Sequence, residues 1–310
     1  MKNSPNTRFE KLCKLFFGSL DPPAGKARIF IAVSYGIVCH LIFTFAVLAM
    51  MIAMFFGMSK SLGSIPSPWS IIANIALVLQ FPLAHSFLLT KRGSAILSKL
   101  APFGYGNTLS TTTFAILASV QLLLLFALWT PSGVVWWYAE GWAFVSLCAL
   151  YAISWLFLMW ASFDAGAEVQ SGALGWMSLI QKIKPEFPDM PTHGLFKVIR
   201  QPIYVAFALT TWTVPVWTPD QLCLAIVFTA YCLLGPFFKE RRFSKRYGTR
   251  FKNYKAQVPY AVPGLGSITR RPKTRGETSI KQINPIPSPK KIIYACRRQK
   301  KLSASFGVLK

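Results

Sequence analysis

Long apolar blocks set the first constraint on this chain. A helix crossing a ~30 Å hydrocarbon core needs ~20 mostly apolar residues. Six stretches reach or approach that length: 29–58, 70–89, 112–129, 135–161, 203–218 and 222–238. Each is expected to be helical, because lipid offers an unpaired amide no partner and an open strand would lose several kcal/mol per group. The last two blocks are short, and only residues 219–221 separate their apolar cores. With Pro215 and Pro219 at the turn, they read as a tight helical hairpin. The first block exceeds the 7–15 apolar residues of a signal peptide and no small-x-small cleavage site follows it, so it is expected to stay in the membrane. The expected fold class is all-α, a polytopic membrane helix bundle of about six spans.

Charge placement supports that reading. Only 14% of the 310 residues are charged against 53% hydrophobic, and mean hydropathy is +0.41. A soluble domain carries ~25% charged residues, so an ordinary soluble fold and a disordered chain are both excluded. The 34 Lys and Arg against 10 Asp and Glu give a net charge of +24, which in a soluble protein would suggest nucleic acid. Here every basic residue except Lys60 falls in 1–28, 90–111, 162–202 or 239–310, the alternate connections between blocks. The positive-inside rule then places both termini in the cytoplasm. The basic residues are expected to face anionic lipid headgroups, at ~1 kcal/mol each near the surface, and nucleic-acid binding needs no separate invocation. The cysteines at 13, 39, 148, 223, 232 and 296 include no C-x-x-C pair, and four lie inside apolar blocks. Neither a disulfide framework nor a zinc site is indicated.

The chain divides into a cytoplasmic segment 1–28, a four-span bundle 29–161, a region 162–263 combining loop, hairpin and interfacial helix, and a basic tail 264–310 expected to be disordered and lipid-associated. Phe243, Tyr247, Phe251 and Tyr254 recur at helical spacing among basic residues, which predicts an interfacial helix with one aromatic face. Residues 162–201 hold Asp164, Glu168, Glu186 and Asp189, four of the chain's ten acids, and read as a roof over a site.

Polar residues inside apolar blocks are costly and are functional candidates by default. They are His40, His85, Gln121 and Glu140. Each could instead be a bundle-facing group satisfied by a neighbouring helix, and Glu140, near a block's outer end, could reach water. His85 is favoured as a substrate contact because it lies toward the basic end of its block, before Ser86 and Lys91-Arg92. Three histidines, none at i,i+4 spacing, do not supply a zinc triad, so no metal is expected. The densest constellation is His193-Gly194-Leu195-Phe196-Lys197-Val198-Ile199-Arg200-Gln201-Pro202-Ile203-Tyr204. Pro202 suits a first helical position, which sets Arg200 beside a helix N-terminus that favours an anion. Arg200 could hold a carboxylate or phosphate there, or could snorkel to headgroups. Glu240, the sole acid between Lys239 and Lys255, could pair Arg241 or Arg242, or accept from an ammonium or ribose hydroxyls.

The run Gly194-Leu195-Phe196-x-x-x-Arg200-Gln201-Pro202-x-Tyr204, then Trp212, Lys239-Glu240-Arg241, Tyr247-Gly248, Tyr254, Val258-Pro259 and Pro263 resembles the C-terminal half of the isoprenylcysteine carboxyl methyltransferase superfamily. That superfamily carries Arg-His-Pro-x-Tyr, a following Trp and, further on, a Glu-Glu pair. The order of blocks with Gln80, His85-Ser86 and Lys91-Arg92 is similar to its branch of methanethiol S-methyltransferases and NnrU-like membrane proteins. Gln201 stands at the family's His and Lys239 at its first Glu. Gln keeps hydrogen bonding but cannot titrate, and Lys239 reverses a charge.

The resemblance implies S-adenosyl-L-methionine as cofactor, enclosed at the cytoplasmic face of what would be a bacterial inner membrane. His193, Gly194, Arg200, Gln201, Pro202, Tyr204, Glu240 and Arg241 would contact it. Arg200 and Glu240 would be catalytic, with His85 and Trp212 facing a second substrate that enters from the membrane. The implied activity is methyl transfer to a small or lipophilic thiol. Methylation of a lipid amine or carboxylate, or a non-catalytic role in assembly or regulation, are the alternatives.

Overall fold

A computed structural model describes residues 5–263. The basic tail lies outside the described residues, so the expectation for 264–310 has no structural counterpart here.

Among the described residues, five helices are long and apolar enough to cross a membrane: α2 (Lys26–Phe55), α3 (Trp69–Leu88), α5 (Gly106–Leu128), α6 (Gly141–Gln170) and α10 (Pro219–Tyr247). With shorter α1 (Pro5–Gly18), α4 (Lys91–Leu100), α7 (Ala173–Ile180), α8 (Leu195–Val198), α9 (Pro202–Trp212) and α11 (Thr249–Gln257), they make a polytopic helical membrane bundle. One core of Met50, Met54, Met58, Phe81, Leu125, Phe126, Tyr151, Val214, Leu224 and Phe228 joins α2, α3, α5, α6 and α10. The outward faces expose Phe30, Leu41, Phe45, Ile71, Ile75, Trp142, Leu156 and Leu234, the arrangement expected when lipid is the solvent.

The fifth apolar block differs from expectation in form. Its helix, α9, is only 11 residues long, or ~16 Å at 1.5 Å per residue. The backbone continues from Thr213 through β2 (Val216–Trp217) to Thr218, where α10 starts. Six non-helical residues add at most ~20 Å if fully extended, so the block reaches the length of a span only through its non-helical part. Bare strand is costly in lipid, and the structure meets that constraint by burying this stretch in protein. Thr210, Thr211, Val214 and Thr218 are almost fully enclosed. β2 pairs antiparallel with β1 (Trp137–Tyr138) in the connection before α6. Gln221 Nε2 donates to the Thr211 carbonyl at 2.7 Å, and Thr218 Oγ1 caps α10 by accepting from Gln221 N at 2.9 Å. Asp220 closes this end by accepting from Trp129 Nε1 at 3.1 Å and from Ser132 N and Oγ at 2.9 and 2.6 Å.

Two stretches that read as connecting loops are built into the bundle. α4 is a short amphipathic helix capped by Thr90, whose hydroxyl accepts from Gly93 N. In 162–201, α6 runs on to Gln170 and α7 folds back into the basic end, against α2 and α5, with Leu174, Ser178, Leu179 and Ile180 buried. Trp176 donates from Nε1 to His40 Nε2 at 3.1 Å, and Thr112 Oγ1 donates to the Gly172 carbonyl at 2.7 Å. His40 thereby has the structural partner that its position required. Gly172 is needed at this reversal: its φ is 78°, and a Cβ would stand 2.6 Å from the Ala115 methyl. Gly104 has a similar φ of 76° with nothing near its missing Cβ. Gly104→Ala should therefore cost about 1 kcal/mol, the strain of a left-handed non-glycine residue. Gly172→Ala should cost about 3 kcal/mol or more because strain adds to overpacking; thermal unfolding in detergent reads the difference.

Candidate functional site

The carboxylate of Glu240, near the basic end of α10, is the node of this site. Its Oε1 accepts from Arg200 Nε at 2.9 Å and from Gln201 Nε2 at 3.0 Å, while Oε2 pairs with Lys255 Nζ at 3.0 Å. Arg200, Gln201 and Glu240 are 8%, 2% and 7% exposed. A guanidinium and a carboxylate this enclosed persist only when paired and hydrogen-bonded. Arg200 meets that requirement in full: Nη1 also donates to the carbonyls of Lys255 and Val258, and the guanidinium lies 5.5 Å from the Tyr260 ring centre. Snorkelling to headgroups is thus ruled out for Arg200.

Local sequence explains why these groups converge. Pro202 at the first position of α9 forces the helix to begin there. Arg200 and Gln201 then lie in non-helical chain whose amides donate to the Pro259 and Tyr260 carbonyls at 2.9 and 3.2 Å. Gly248, with φ at 51°, ends α10 and lets α11 turn back over the site. The single aromatic helix read from the sequence is therefore two helices, and its stripe faces the protein. Phe251 is buried against Phe243 at 5.8 Å between ring centres, and the Tyr254 hydroxyl donates to the Phe196 carbonyl at 2.6 Å. Burial raises the Tyr254 pKa, which keeps that phenol a donor.

A cavity of about 560 Å³ lies among α1, α6, α7 and the chain up to Gly194, and none of Arg200, Gln201, Glu240 or Lys255 lines it. Its wall includes Asp164, Glu168, Lys11, Lys14, Lys184 and His193. Gly194 lies in the same wall at a φ of 59°, and a Cβ there would stand 2.2 Å from the Asp164 carboxylate. The Asp164 carboxylate accepts from Leu195 N at 2.8 Å, which ties α6 to the start of α8. Asp189, at the opposite rim, pairs with Arg250 of α11 at 2.6 Å. All four acids of 162–201 are in the lining of this cavity.

The remaining expected residues separate into those brought to the site and those held away. Tyr204, one turn into α9, faces Lys239 with its ring centre 5.6 Å from Nζ. Arg241 is exposed and lines neither the cavity nor the small cleft at Glu240, because one residue of helix turns it ~100° from the carboxylate. Trp212 lies ten residues along α9 from Pro202, ~15 Å of helix. It is 41% exposed and donates to Thr229 Oγ1 at 2.8 Å, so it packs the hairpin away from Arg200. His85 is enclosed by Phe81, Phe114 and Tyr231, with ring centres at 5.1, 4.9 and 6.5 Å. Its Nδ1 has no hydrogen-bond partner among the described residues. Gln121 Oε1 is likewise without one, whereas Glu140 is exposed at the start of α6. The Lys255, Val258 and Pro259 carbonyls were not singled out as partners of Arg200, although Val258-Pro259 belongs to the motif. Contact between chain segments 55 or more residues apart leaves no periodic signal.

No protein-family profile and no solved structure matches the chain. Curated proteins do. The chain is 27% identical over 247 residues to a methanethiol S-methyltransferase of a Pseudomonas species, covering 78% of this chain and 91% of that protein. It is 26% identical over 257 residues to methanethiol S-methyltransferase 1 of Bradyrhizobium diazoefficiens, covering 81% and 89%. It is 31% identical over 176 residues to nurim of Mus musculus, covering 52% and 65%.

Glu240→Gln should destabilise the fold by about 3–5 kcal/mol, because it leaves the Arg200 guanidinium buried without a counter-charge. Lys255→Met should cost no more than about 1 kcal/mol, since the Lys255 side chain is 55% exposed. Denaturation of the two variants in detergent checks the ranking. Across most of its length the chain is thus similar to proteins named methanethiol S-methyltransferase, a likeness consistent with the isoprenylcysteine carboxyl methyltransferase-like family whose motif it resembles.

Proposed function

We propose that the protein is an integral membrane methyltransferase that uses S-adenosyl-L-methionine to methylate a small or lipophilic thiol. The observation that carries this reading is the convergence of Arg200 and Glu240, forty residues apart, at the basic end of a membrane bundle that also holds a cavity ending at His193 and Gly194, six residues before Arg200. Relatives named for methanethiol methylation support the reaction class.

The residues present fit such a cofactor. The cavity volume lies within the ~300–1,000 Å³ range of small-molecule sites. Its wall carries both carboxylates, Asp164 and Glu168, and ammonium groups, Lys11, Lys14 and Lys184. That mixture suits a ligand with an amino group, a carboxylate and ribose hydroxyls together. We assign His193 and Gly194 to one wall of the cofactor site and Arg200, Gln201, Pro202, Tyr204 and Glu240 to the side facing the hairpin. The cofactor supplies an electrophilic methyl group on a sulfonium.

The chain's contribution is enclosure and electrostatics. Glu240 holds α9, α10 and α11 together, and the aromatic rings of Phe243, Phe251 and Tyr254 close the site against water. Exclusion of water and fixed alignment are what a displacement at carbon requires. The thiol must lose its proton, and neighbouring cations favour a thiolate. Lys239 and Arg242 supply positive charge at the basic end of α10. His85, unpaired at Nδ1 between α3, α5 and α10, gives a membrane-derived acceptor a polar contact. By the positive-inside rule this end faces the cytoplasm.

Titration calorimetry on the detergent-purified protein should show cofactor binding that Arg200→Lys weakens at least tenfold, since Lys cannot reproduce a multidentate guanidinium contact. Labelled methyl from the cofactor should appear in a volatile thioether. Absence of binding, or label found only in lipid extracts, would remove the thiol reading.

A further inference from the structure

Lys239 adjoins Glu240 in sequence but sits in a different environment. Its Nζ is 5.3 Å from the ring centre of Phe196, 5.6 Å from Tyr204 and 5.7 Å from Phe243. The three rings come from α8, α9 and α10. Gln201 Oε1 accepts from the same ammonium at 3.1 Å, and the Gln201 amide is held in that orientation because its Nε2 donates to Glu240. Both Glu240 oxygens are engaged by other donors, Arg200, Gln201 and Lys255. Three ring faces and one carbonyl are the surroundings that favour weakly hydrated onium ions, whose charge is attracted by the ring quadrupoles. A simple lysine would be better hydrated at the surface.

We propose that Phe196, Tyr204 and Phe243 form an onium-ion site whose built-in occupant is the Lys239 ammonium, and that Lys239 sets the protein's preference between a cationic methyl donor and its neutral thioether product. This rests on the function proposed above. The cleft beside Lys239 has a volume of only about 10 Å³, too small for a second cation alongside it. A sulfonium bound here either displaces the ammonium or bears its repulsion. A thioether shares any steric displacement but carries no charge and so bears no repulsion. Lys239 therefore weakens donor binding. It also speeds transfer, because the methyl leaves with the sulfur–carbon bonding pair staying on sulfur, and the opposed positive charge disappears as the thiolate carbon–sulfur bond forms. The charge reversal at 239 relative to the resembled motif then tunes the site's charge and does not abolish it.

The test compares binding of S-adenosyl-L-methionine and of S-adenosyl-L-homocysteine, a cation and a neutral thioether at the reacting sulfur, to full-length protein in detergent. Lys239→Met should tighten the cation on the order of tenfold and leave the thioether within about twofold. KM for the donor and kcat should fall together. Lys239→Arg, which keeps the charge, should leave the ratio of the two affinities unchanged, and Lys239→Gln repeats the neutral test with a side chain that can still donate to Gln201. Retained thioether binding reports an intact fold. If both ligands bind the natural chain but the ratio moves less than twofold in both neutral variants, the inference is overturned and the proposed function stands. If neither ligand binds the natural chain, the function reading falls and this inference with it.

Discussion

One buried carboxylate organises the basic end of this molecule. Glu240 takes three hydrogen bonds from groups on the start of α9 and on α11, and Arg200 relays the connection to the carbonyls of Lys255 and Val258. Burying these charges is expensive on its own, and full pairing offsets the cost. The return is geometric: α9, α10, α11 and the chain at 258–260 have one mutual arrangement. A surface ion pair would leave the same helices free to slide.

The second organising constraint is the demand that no backbone amide face lipid unpaired. It made the long helices legible in the sequence, since apolar length and charge alternation suffice to find α2, α3, α5, α6 and α10. It also explains what was not legible. The block at 203–218 has enough apolar residues for a span, but Pro215 lacks an amide proton and Val216–Trp217 finds a strand partner in β1, so the block's second half is non-helical chain sheltered by protein. α7 is too short and too close to charged neighbours to register as membrane-associated. Its burial depends on Gly172 meeting Ala115 and on Trp176 meeting His40, contacts that no periodicity encodes.

The site followed the same division. Arg200, Gln201, Tyr204 and Glu240 were grouped by the order of the resembled motif, and the structure brings them together around Glu240 and Lys239; the four acids of 162–201 were grouped by local enrichment. Trp212 shared the motif yet serves the hairpin, because a helical rise separates it from Pro202 whatever its place in a pattern. Arg241 was grouped with Glu240 by adjacency, and the turn of the helix sends it to solvent. Lys239, read from sequence as a reversed charge, acquires meaning only when Phe196, Tyr204 and Phe243 are seen around it. An enzyme reading and a cationic residue inside the site are compatible, since methyl transfer from a sulfonium removes positive charge from the reacting centre.

The most direct test of the central claim is an experimental structure of the detergent-purified protein with S-adenosyl-L-homocysteine. The account expects the nucleoside within the cavity bounded by Asp164, Glu168 and His193, its sulfur directed toward the Arg200–Glu240 pair and the Lys239 cage. A ligand seated at the Asp220 end of the bundle, or a guanidinium and carboxylate parted by a nucleoside's length or more, would contradict it.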